Sequence, residues 1–293
     1  MELKRSYRRR GTPDLPMAVY IDNASVAGYH PIPEYHPELE IVRILAGHVV
    51  IQLSGVPNTF REGDIFVIPG NTVHCYRYMS KDVKFCSLIF SPDAIAMQPA
   101  HFFQKSFVQP LAEGRMQLPS LLQPGHPAYE TVCAQFDLLM QYRIFTQNYQ
   151  FNRFSALMTI CFALFPYCTL SCETQSISDP GNEAVRLCMR YIHNQLASKI
   201  TLETLGEHCH LHPNYLCALF KNYTGQTIFD YLTRYRIETA AQLLKNSELA
   251  VGKIGEMVGF RSESLFYRAF KKIMGVTPKA YAKQQEATKV DTI

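Results

Sequence analysis

Four side chains that commonly bind metal ions or hydrogen-bond to small polar molecules stand close together in the N-terminal third of the chain. They are Glu34, His36, Glu40 and His74. Because residues four apart on a strand share one face, His36 and Glu40 could point into the same interior, with His74 nearby. Their nitrogen and oxygen atoms would suit iron, manganese or zinc. The residues alone leave three interpretations open: a metal site, the wall of a pocket for a small organic molecule, or structural polar groups.

A second chemistry is indicated by an internal repeat of roughly fifty residues in the C-terminal part. Residues 205–209 match residues 254–258 at an offset of 49, and residues 216–225 match residues 266–275 at an offset of 50. One residue is therefore inserted in the connecting turn, where insertions are tolerated. Each unit reads as a short helix, a tight turn and a second helix closed by a glycine, which is the layout of a helix-turn-helix. Two copies joined by a long helix could enter two adjacent major-groove turns, about 34 Å apart.

The exposed side chains of each second helix are the candidates for contacting DNA. Asn214 could pair with adenine and Arg268 with guanine, since both pairings are bidentate. We expect Lys and Arg side chains to bind phosphates and set the register, and Arg236 to tie the two halves together. A solvated helix face is the alternative for each residue. The predicted base-reading set is His212, Asn214, Cys217, Ala218, Ser262, Glu263, Ser264, Tyr267 and Arg268, and the predicted phosphate-binding set is Lys221, Arg234, Arg261, Lys271 and Lys272.

The distribution of charge favours a polyanion-binding C-terminal region. The net charge of the whole chain is +4. Residues 183–293 carry 15 Lys and Arg against 10 Asp and Glu, whereas residues 11–182 carry 9 against 14. An acidic body followed by a basic helical region is typical of nucleic-acid-binding proteins, although many solvated helical domains are mildly basic.

The elements that must position these residues fall into two groups. Short β-branched segments separated by turn residues occupy residues 17–95 and predict a small barrel or sandwich. Residues 127–165 change to three- and four-residue spacing, which predicts two amphipathic helices joined near Asn148. Their wide apolar faces could pack on the barrel or on a second copy of the chain. Residues 175–182 are the best linker candidate, and everything beyond them reads as helical.

Composition excludes several classes of protein. With 47% hydrophobic and 18% charged residues, the chain is globular rather than disordered or collagen-like. The longest nearly apolar stretch, residues 155–170, has 16 residues, contains Pro166 and is too short to span a membrane. We expect no secretory signal. The nine cysteines are scattered without a Cys-x-x-Cys pair, which favours reduced thiols in the cytoplasm.

Residues 183–282 resemble the DNA-binding domain of AraC/XylS-type transcription regulators over about a hundred residues. The chain departs from that pattern at Gly206 and Gly255, where the family usually has Ala, at His212 in place of a capping Ser, and at Ala218 and Ala282 in place of Arg. The resemblance implies that exposed early positions of the second helices contact bases. The matching residues are Leu205, Leu216, Phe220, Lys221, Gly225, Phe229, Tyr231, Leu232, Arg236, Ala240, Leu243, Leu244, Ile254, Val258, Gly259, Phe260, Phe266, Arg268, Phe270, Lys271, Lys272, Gly275, Thr277, Pro278 and Tyr281.

The N-terminal pattern resembles the two motifs of cupins, whose barrel can hold a metal through two His, a Glu and a later His. It reads Gly28-x5-Glu34-x-His36-x3-Glu40-x6-Gly47, followed by Gly63-x5-Pro69-x4-His74. Glu34 replaces the first His, and Asn71 stands where the second motif usually has Gly. Because AraC-type sensor domains often keep such a remnant without a metal, we expect no metal, no cofactor and a small effector, a sugar or related metabolite. The predicted effector-binding residues are His36, Glu40, Arg43, His74 and Tyr76.

The predicted architecture is a two-domain α+β chain: an N-terminal cupin-like β-barrel with a helical dimerisation segment, then an all-α double helix-turn-helix. The predicted parts are a basic N-terminal arm (1–16), an effector-sensing barrel (17–125), a helical dimerisation segment (126–174), a linker (175–182) and a DNA-binding domain (183–286). The basic run of the arm is either a solvated terminus or a segment that folds over the pocket or touches DNA.

The resemblance implies a sequence-specific transcription regulator that binds double-stranded DNA, responds to a small effector and forms a homodimer in the cytoplasm, with no membrane partner. Activation through contact with RNA polymerase is implied by the resemblance alone. Two alternatives stay open: a metal-dependent cupin enzyme fused to a helical domain, and a constitutive DNA-binding protein with a structural barrel. The sequence contains no nucleophile elbow, phosphate loop or paired-carboxylate motif, so we expect no catalytic residues.

Overall fold

A computed structural model of the chain describes residues 11–23, 32–141, 148–170, 179–247 and 249–290. The chain divides into two compact units, one containing Glu34–Asp179 and the other Pro180–Ile293. The basic run of the predicted arm and residues 175–178 of the predicted linker lie outside the described residues. The predicted linker is wrong at residues 180–182, which form the first turn of a helix. Pro at the first helical position is favourable because its missing N–H would have no partner there.

The described part of the N-terminal unit is built mainly from two antiparallel sheets. Its strands are β1 (Met17–Asn23), β2 (Leu39–Ala46), β3 (His48–Leu53), β4 (Val56–Arg61), β5 (Ile65–Ile68), β6 (His74–Met79), β7 (Lys84–Phe90), β8 (Met116–Gln117), β9 (Leu121–Leu122) and β10 (Thr169–Leu170). One sheet has the order β1-β7-β2-β5-β9 and the other β4-β3-β6, while β8 pairs with β10. The predicted β-rich N-terminal region is confirmed.

The two sheets enclose an apolar interior. Val42 and Ile44 of β2 share one buried cluster with Ile51 of β3 and Phe66 of β5. In that cluster the rings of Phe60 and Phe66 stack with their centroids 3.9 Å apart. Because successive side chains of a strand alternate between its faces, the even-numbered residues of β2 face this interior.

The opposite face of the five-stranded sheet is covered by helices. Leu39 and Ile41 of β2 lie in one buried cluster with residues of α2 (Tyr129–Gln141) and α3 (Tyr149–Leu164). Before α2 the chain forms a 3₁₀ turn (Pro92–Ile95), a π-helical turn (Gln104–Val108) and a short helix, α1 (Gln109–Ala112). The two helices predicted for residues 127–165 are confirmed, and they pack on the sheet.

The C-terminal unit is helical throughout its described elements. They are α4 (Pro180–Asn194), α5 (Leu202–Cys209), α6 (Pro213–Thr224), α7 (Ile228–Asn246), α8 (Val251–Met257), α9 (Glu263–Met274) and α10 (Pro278–Val290). The long helix α7 contacts α6 on one side of the repeat and α8, α9 and α10 on the other. No helix in the described part of the chain is both long and apolar enough for a membrane span.

The repeat has the same backbone features in both copies. The turn between the helices contains a left-handed residue, His210 in the first copy and Gly259 in the second, at an offset of 49. The second helices end at left-handed glycines, Gly225 and Gly275, at an offset of 50. The extra residue therefore lies between the turn and α9, at Arg261.

The glycines at positions 206 and 255, where the resembled family usually has Ala, lie where two helices approach closely. A Cβ on Gly206 would come within 2.8 Å of the Leu211 carbonyl oxygen and 3.1 Å of Pro213. A Cβ on Gly255 would come within 2.8 Å of the Phe266 ring. The absence of a Cβ at both positions thus permits closer packing of the first helix of each unit on the second.

We expect Gly206→Ala to lower the thermal stability of the helical unit and Gly252→Ala to raise it. At Gly206 the clash with backbone costs about 1–3 kcal/mol, which exceeds the gain of about 1 kcal/mol in helix propensity. A Cβ on Gly252 meets Glu263 only at an ordinary 3.6 Å, so the propensity gain remains. Thermal unfolding followed by circular dichroism measures both variants, and shifts of the same sign would contradict the packing argument.

Candidate functional site

Three predicted ligand residues come together at the end of the barrel interior. His36 precedes β2, Glu40 is its second residue and His74 begins β6. The Nε2 atom of His36 lies 3.2 Å from Glu40 Oε2, and the Nε2 atom of His74 lies 3.8 Å from the same oxygen. The side chains are 1%, 7% and 2% exposed, respectively. The cluster is buried, and its polar atoms face one another.

The backbone fixes the orientation of both imidazole rings. The Nδ1 atom of His36 lies 3.0 Å from the carbonyl oxygen of Glu38, and that of His74 lies 2.9 Å from the carbonyl oxygen of Thr72. Since a carbonyl oxygen can only accept, each Nδ1 carries a hydrogen.

Glu34 forms the exposed edge of the cluster. Its backbone pairs with His74 through two hydrogen bonds of 3.0 and 2.9 Å. Its carboxylate Oε1 lies 3.9 Å from His74 Nε2, and the side chain is 44% exposed. A ligand that reached the cluster from solvent would therefore meet Glu34.

The cluster favours an ionised carboxylate at Glu40. Burial alone raises the pKa of Glu40, but the hydrogen bond with His36 and the charges of His74 and His36 outweigh it and lower that pKa to about 2. Burial lowers the pKa of His74, although the nearby carboxylate of Glu34 acts in the opposite direction. A buried anion beside two imidazole rings is a polar environment that suits a hydrogen-bonding ligand.

The remaining predicted effector-binding residues occupy different faces. Tyr76 packs against the inner cluster and stacks on Phe85 with ring centroids 5.4 Å apart. The structure does not bring Arg43 to this site. Its Nη1 donates to the Cys133 carbonyl oxygen at 3.0 Å and to Asp137 Oδ1 at 2.6 Å, on α2. Arg43 is an odd number of residues from Glu40 on one strand and so points to the other face.

The first candidate DNA-reading helix, α6, has one buried and one exposed face. Leu216 and Phe220 are fully buried, whereas the predicted DNA-contacting residues His212, Asn214, Ala218 and Lys221 are exposed and Cys217 is half-buried. His212 also caps the helix, because its Nδ1 accepts from the Asn214 backbone N–H at 3.3 Å. Histidine therefore serves as the cap where the resembled family usually has serine.

The second candidate DNA-reading helix, α9, repeats that division with more positive charge. Phe266 and Phe270 are fully buried at an offset of 50 from Leu216 and Phe220. Ser262 occupies the N-cap position but makes no side-chain capping hydrogen bond to α9, and it and Tyr267 are half-buried. The exposed predicted residues are Arg261, Glu263, Ser264, Arg268, Lys271 and Lys272.

Two exposed apolar residues on these helices are absent from the predicted set. Tyr215 on α6 is 57% exposed, and Leu265 on α9 is 47% exposed. They are equivalent at the offset of 50, so the repeat itself contains the signal that could have identified them. Large apolar groups on both candidate reading faces suit contact with thymine methyl groups.

Arg236 and Arg234 of the long helix differ in their surroundings. Arg236 donates from Nε to the Leu196 carbonyl oxygen at 3.0 Å and from Nη2 to that of Ser198 at 2.9 Å, so it anchors the connection between α4 and α5. The predicted structural role of Arg236 is confirmed. Arg234, predicted to bind phosphate, is half-buried and lies 3.6 Å from Glu238.

Two families of known domains match the chain. A helix-turn-helix domain matches residues 205–284, and a cupin domain matches residues 26–89. The first match covers both repeat units, and the second covers the histidine cluster of the barrel.

Two relatives that match over more than nine-tenths of the chain are transcriptional regulators. The uncharacterized HTH-type transcriptional regulator YdeC of Bacillus subtilis is 25% identical, over 93% of this chain and 93% of that protein. The HTH-type transcriptional regulator AlkR of Acinetobacter baylyi is 27% identical, over 91% of this chain and 94% of that protein.

Other relatives share only part of the chain. The regulatory protein PocR of Salmonella typhimurium is 32% identical over 105 residues, which are 36% of this chain and 35% of that protein. The chain thus contains a helix-turn-helix domain behind a cupin domain, and over more than nine-tenths of its length it is similar to HTH-type transcriptional regulators.

Proposed function

We propose that this regulator reads a specific DNA sequence with α6 and α9 and that a small molecule bound in the barrel controls it. The observation that carries the proposal is the duplicated helix pair, in which equivalent residues are buried and equivalent residues are exposed. Leu216 and Phe220 fix α6, and Phe266 and Phe270 fix α9. Both helices therefore keep a polar face available for a duplex.

The base-reading set comprises the nine predicted residues, with Tyr215 and Leu265 added as apolar contacts. A selection experiment tests the proposal: the full chain is mixed with a random-sequence duplex library, and the bound duplexes are recovered and sequenced. We expect one enriched motif with two conserved segments about one helical turn apart. Enrichment of a single short segment, or of none, would contradict reading by two helices.

The phosphate-binding set is Lys221, Arg234, Arg261, Lys271 and Lys272. Four of these five side chains are exposed, and Arg234 is half-buried. Three of them, Arg261, Lys271 and Lys272, belong to the second repeat unit. This asymmetry supports α9 as the helix that depends more on phosphate contacts. It supports α6, which has only Lys221 from this set, as the helix that depends more on base contacts.

Lys271→Ala and Lys272→Ala should each reduce the steepness of salt dependence. Each phosphate contact contributes about 0.9 to the slope of log affinity against log salt, because counterions are released. The loss should be the same on specific and random duplexes. Lys253→Ala is the matched control, since Lys253 is exposed and pairs with Glu256 at 2.9 Å. A slope that falls equally in all three variants would contradict the assignment.

The effector site is proposed at His36, Glu40, His74 and Tyr76, with Glu34 at its exposed edge. Arg43, predicted as a fifth member, does not join it because its guanidinium is bound to α2. The buried polar atoms support recognition of a small polar molecule, a sugar or related metabolite. Operator binding titrated with a panel of sugars and sugar acids tests this. Affinity that no compound changes would favour a constitutive DNA-binding protein.

The partners beyond DNA and the effector follow from the family. We propose a homodimer formed through the segment containing α2 and α3, transcription activation by contact with RNA polymerase, and action in the cytoplasm, where the chromosome is accessible. Exposed aromatic side chains on α3, Phe151 and Phe162, support the dimer surface. Because relatives along the whole chain are regulators, we assign no catalytic activity. Analytical ultracentrifugation of the full chain tests the oligomeric state.

A further inference from the structure

We propose that Cys188 and Cys209 form a site of reversible thiol oxidation, at which a peroxide closes a disulfide between α4 and α5 and thereby weakens the reading of DNA by α6. Cys188 lies in α4, and Cys209 is the last residue of α5. Formation of the disulfide is independent of the proposed function, whereas its effect on DNA binding rests on that function.

The packing of α5 on α4 places the two thiols side by side. Cys209 Sγ donates a hydrogen bond to the Ala184 carbonyl oxygen at 3.7 Å. In an α-helix a carbonyl accepts from the N–H four residues later, so this oxygen lies beside the backbone of Cys188. The two thiols also hydrogen-bond to each other. Sulfur atoms in such contact need only a small movement to reach the disulfide bond length of about 2.05 Å.

The pair lies where three helices of the C-terminal unit meet, since α4, α5 and α6 all contact one another. Cys188 has no exposed surface, and Cys209 is 6% exposed. The exposed residues His208 and His210 flank Cys209 at the end of α5. Cys209 is therefore the thiol that a small oxidant reaches first, and Cys188 lies behind it.

The hydrogen bond between the thiols makes them differ in reactivity. The bond from Cys188 lowers the pKa of Cys209, because it stabilises the thiolate. The same bond, together with burial, raises the pKa of Cys188, which therefore keeps its proton. Since the thiolate is the nucleophile, Cys209 attacks the oxidant and Cys188 completes the disulfide.

The reaction consumes one molecule of hydrogen peroxide. Cys209 Sγ attacks one peroxide oxygen, the O–O bond breaks, and a sulfenic acid forms while the other oxygen leaves as water. Cys188 Sγ then attacks the sulfenic sulfur, the S–O bond breaks, and a second water leaves with the remaining thiol hydrogen. Each sulfur is oxidised by one electron, and the peroxide is reduced by two. A small thiol reverses the bond by exchange, and disulfides in the cytoplasm are usually transient in this way.

Closing the disulfide should displace the first candidate DNA-reading helix. The sulfur atoms must approach each other, so α5 moves against α4. The helix α6 begins four residues after Cys209. It follows α5 because a Cβ on Gly206 would already come within 2.8 Å of the Leu211 carbonyl oxygen and 3.1 Å of Pro213. The movement withdraws Asn214 from its base edge, and the loss of one bidentate contact weakens specific binding about tenfold.

Peptide mapping of the full chain tests the disulfide. Reduced protein is treated with a small excess of hydrogen peroxide, the remaining thiols are alkylated, and the tryptic peptides are analysed by mass spectrometry. We expect residues 187–190 to be linked to residues 200–221, and dithiothreitol to remove the link. The second peptide also contains Cys217. The link should therefore persist in Cys217→Ala and disappear in Cys188→Ala and Cys209→Ala.

Cys168→Ala is the matched control, because Cys168 is a half-buried thiol of the other unit that bonds to the Leu164 carbonyl oxygen at 3.4 Å. The linked peptide should form in it as in the unchanged chain. Absence of the link in the oxidised unchanged chain, or a link that persists in Cys209→Ala, would overturn the proposal. If the buried substitutions prevent folding, fragmentation of the linked peptide from the unchanged chain still distinguishes Cys209 from Cys217.

Fluorescence anisotropy on the selected duplex measures the effect on DNA binding. The oxidised chain should bind about tenfold more weakly than the reduced chain, dithiothreitol should restore the affinity, and Cys188→Ala should not respond to peroxide. Full affinity with the link formed would refute the control of DNA reading. A chain that forms the link but selects no duplex when reduced refutes only the proposed reading of DNA.

Discussion

Asn214→Ala and Arg268→Ala should each weaken binding to the selected duplex by about 1–3 kcal/mol while leaving thermal stability almost unchanged. Each residue is proposed to make a bidentate contact to a base, adenine for Asn214 and guanine for Arg268. Both side chains are exposed, on α6 and α9 respectively, so truncation opens no cavity next to the buried Phe220 and Phe270. Fluorescence anisotropy at one fixed salt concentration measures the loss on the selected and on a scrambled duplex.

The controls are exposed residues of the same type in the same unit. Asn222→Ala lies two turns further along α6, and Arg190→Ala lies on α4. Neither should change the ratio of specific to random binding. If Asn214→Ala and Arg268→Ala both keep the affinity of the unchanged chain for the selected duplex, the base-reading assignment is wrong.

The helical repeat could be predicted because buried helix positions dominate its pattern. Leu216 and Phe220, with Phe266 and Phe270, are spaced by four, one helical turn, and the glycines that end both helices need a left-handed backbone. Such local requirements are visible in one sequence. The position of the inserted residue could not be predicted in this way. Only the caps and turns of the two folded copies show that the inserted residue is Arg261.

The exposed apolar residues were missed for a related reason. Tyr215 and Leu265 are adjacent to the buried Leu216 and Phe266, and a large apolar side chain is ordinarily assigned to a core. Their exposure depends on the rotation of each helix against its neighbours, which the spacing defines only within a residue or so. The pairing of Tyr215 with Leu265 across the repeat was the available clue.

For the barrel site, the sequence predicts which residues take part better than it predicts how they meet in space. Glu40 and Arg43 are three residues apart on one strand, so strand alternation places them on opposite faces. The sequence therefore already argues against including Arg43 among the effector-binding residues. His36 reaches Glu40 although it precedes β2, because the chain turns there and not because both lie on one strand. The meeting of His74 with this pair depends on the packing of two sheets, which spacing along the chain does not encode.

Arg236→Ala should destabilise the helical unit by about 2–3 kcal/mol. The guanidinium donates two charge-assisted hydrogen bonds, to Leu196 and Ser198, which hold the connection that leads into α5. It also packs against the turn of the second copy, since a Cβ on Gly259 would come within 2.8 Å of its Nη2. One side chain thus joins the first unit's lead segment to the second unit's turn. Chemical denaturation followed by circular dichroism measures the loss.

Two further variants test whether the loss of stability in Arg236→Ala comes from the two-pronged geometry of the guanidinium. Arg236→Lys should recover less than half of the loss, because an ammonium cannot span both carbonyls in one plane. Arg234→Ala removes a neighbouring arginine whose ion pair with Glu238, at 3.6 Å, is partly solvated and should cost below about 1 kcal/mol. Equal losses in Arg236→Ala and Arg234→Ala would mean that the two copies are held together by apolar packing on α7 alone.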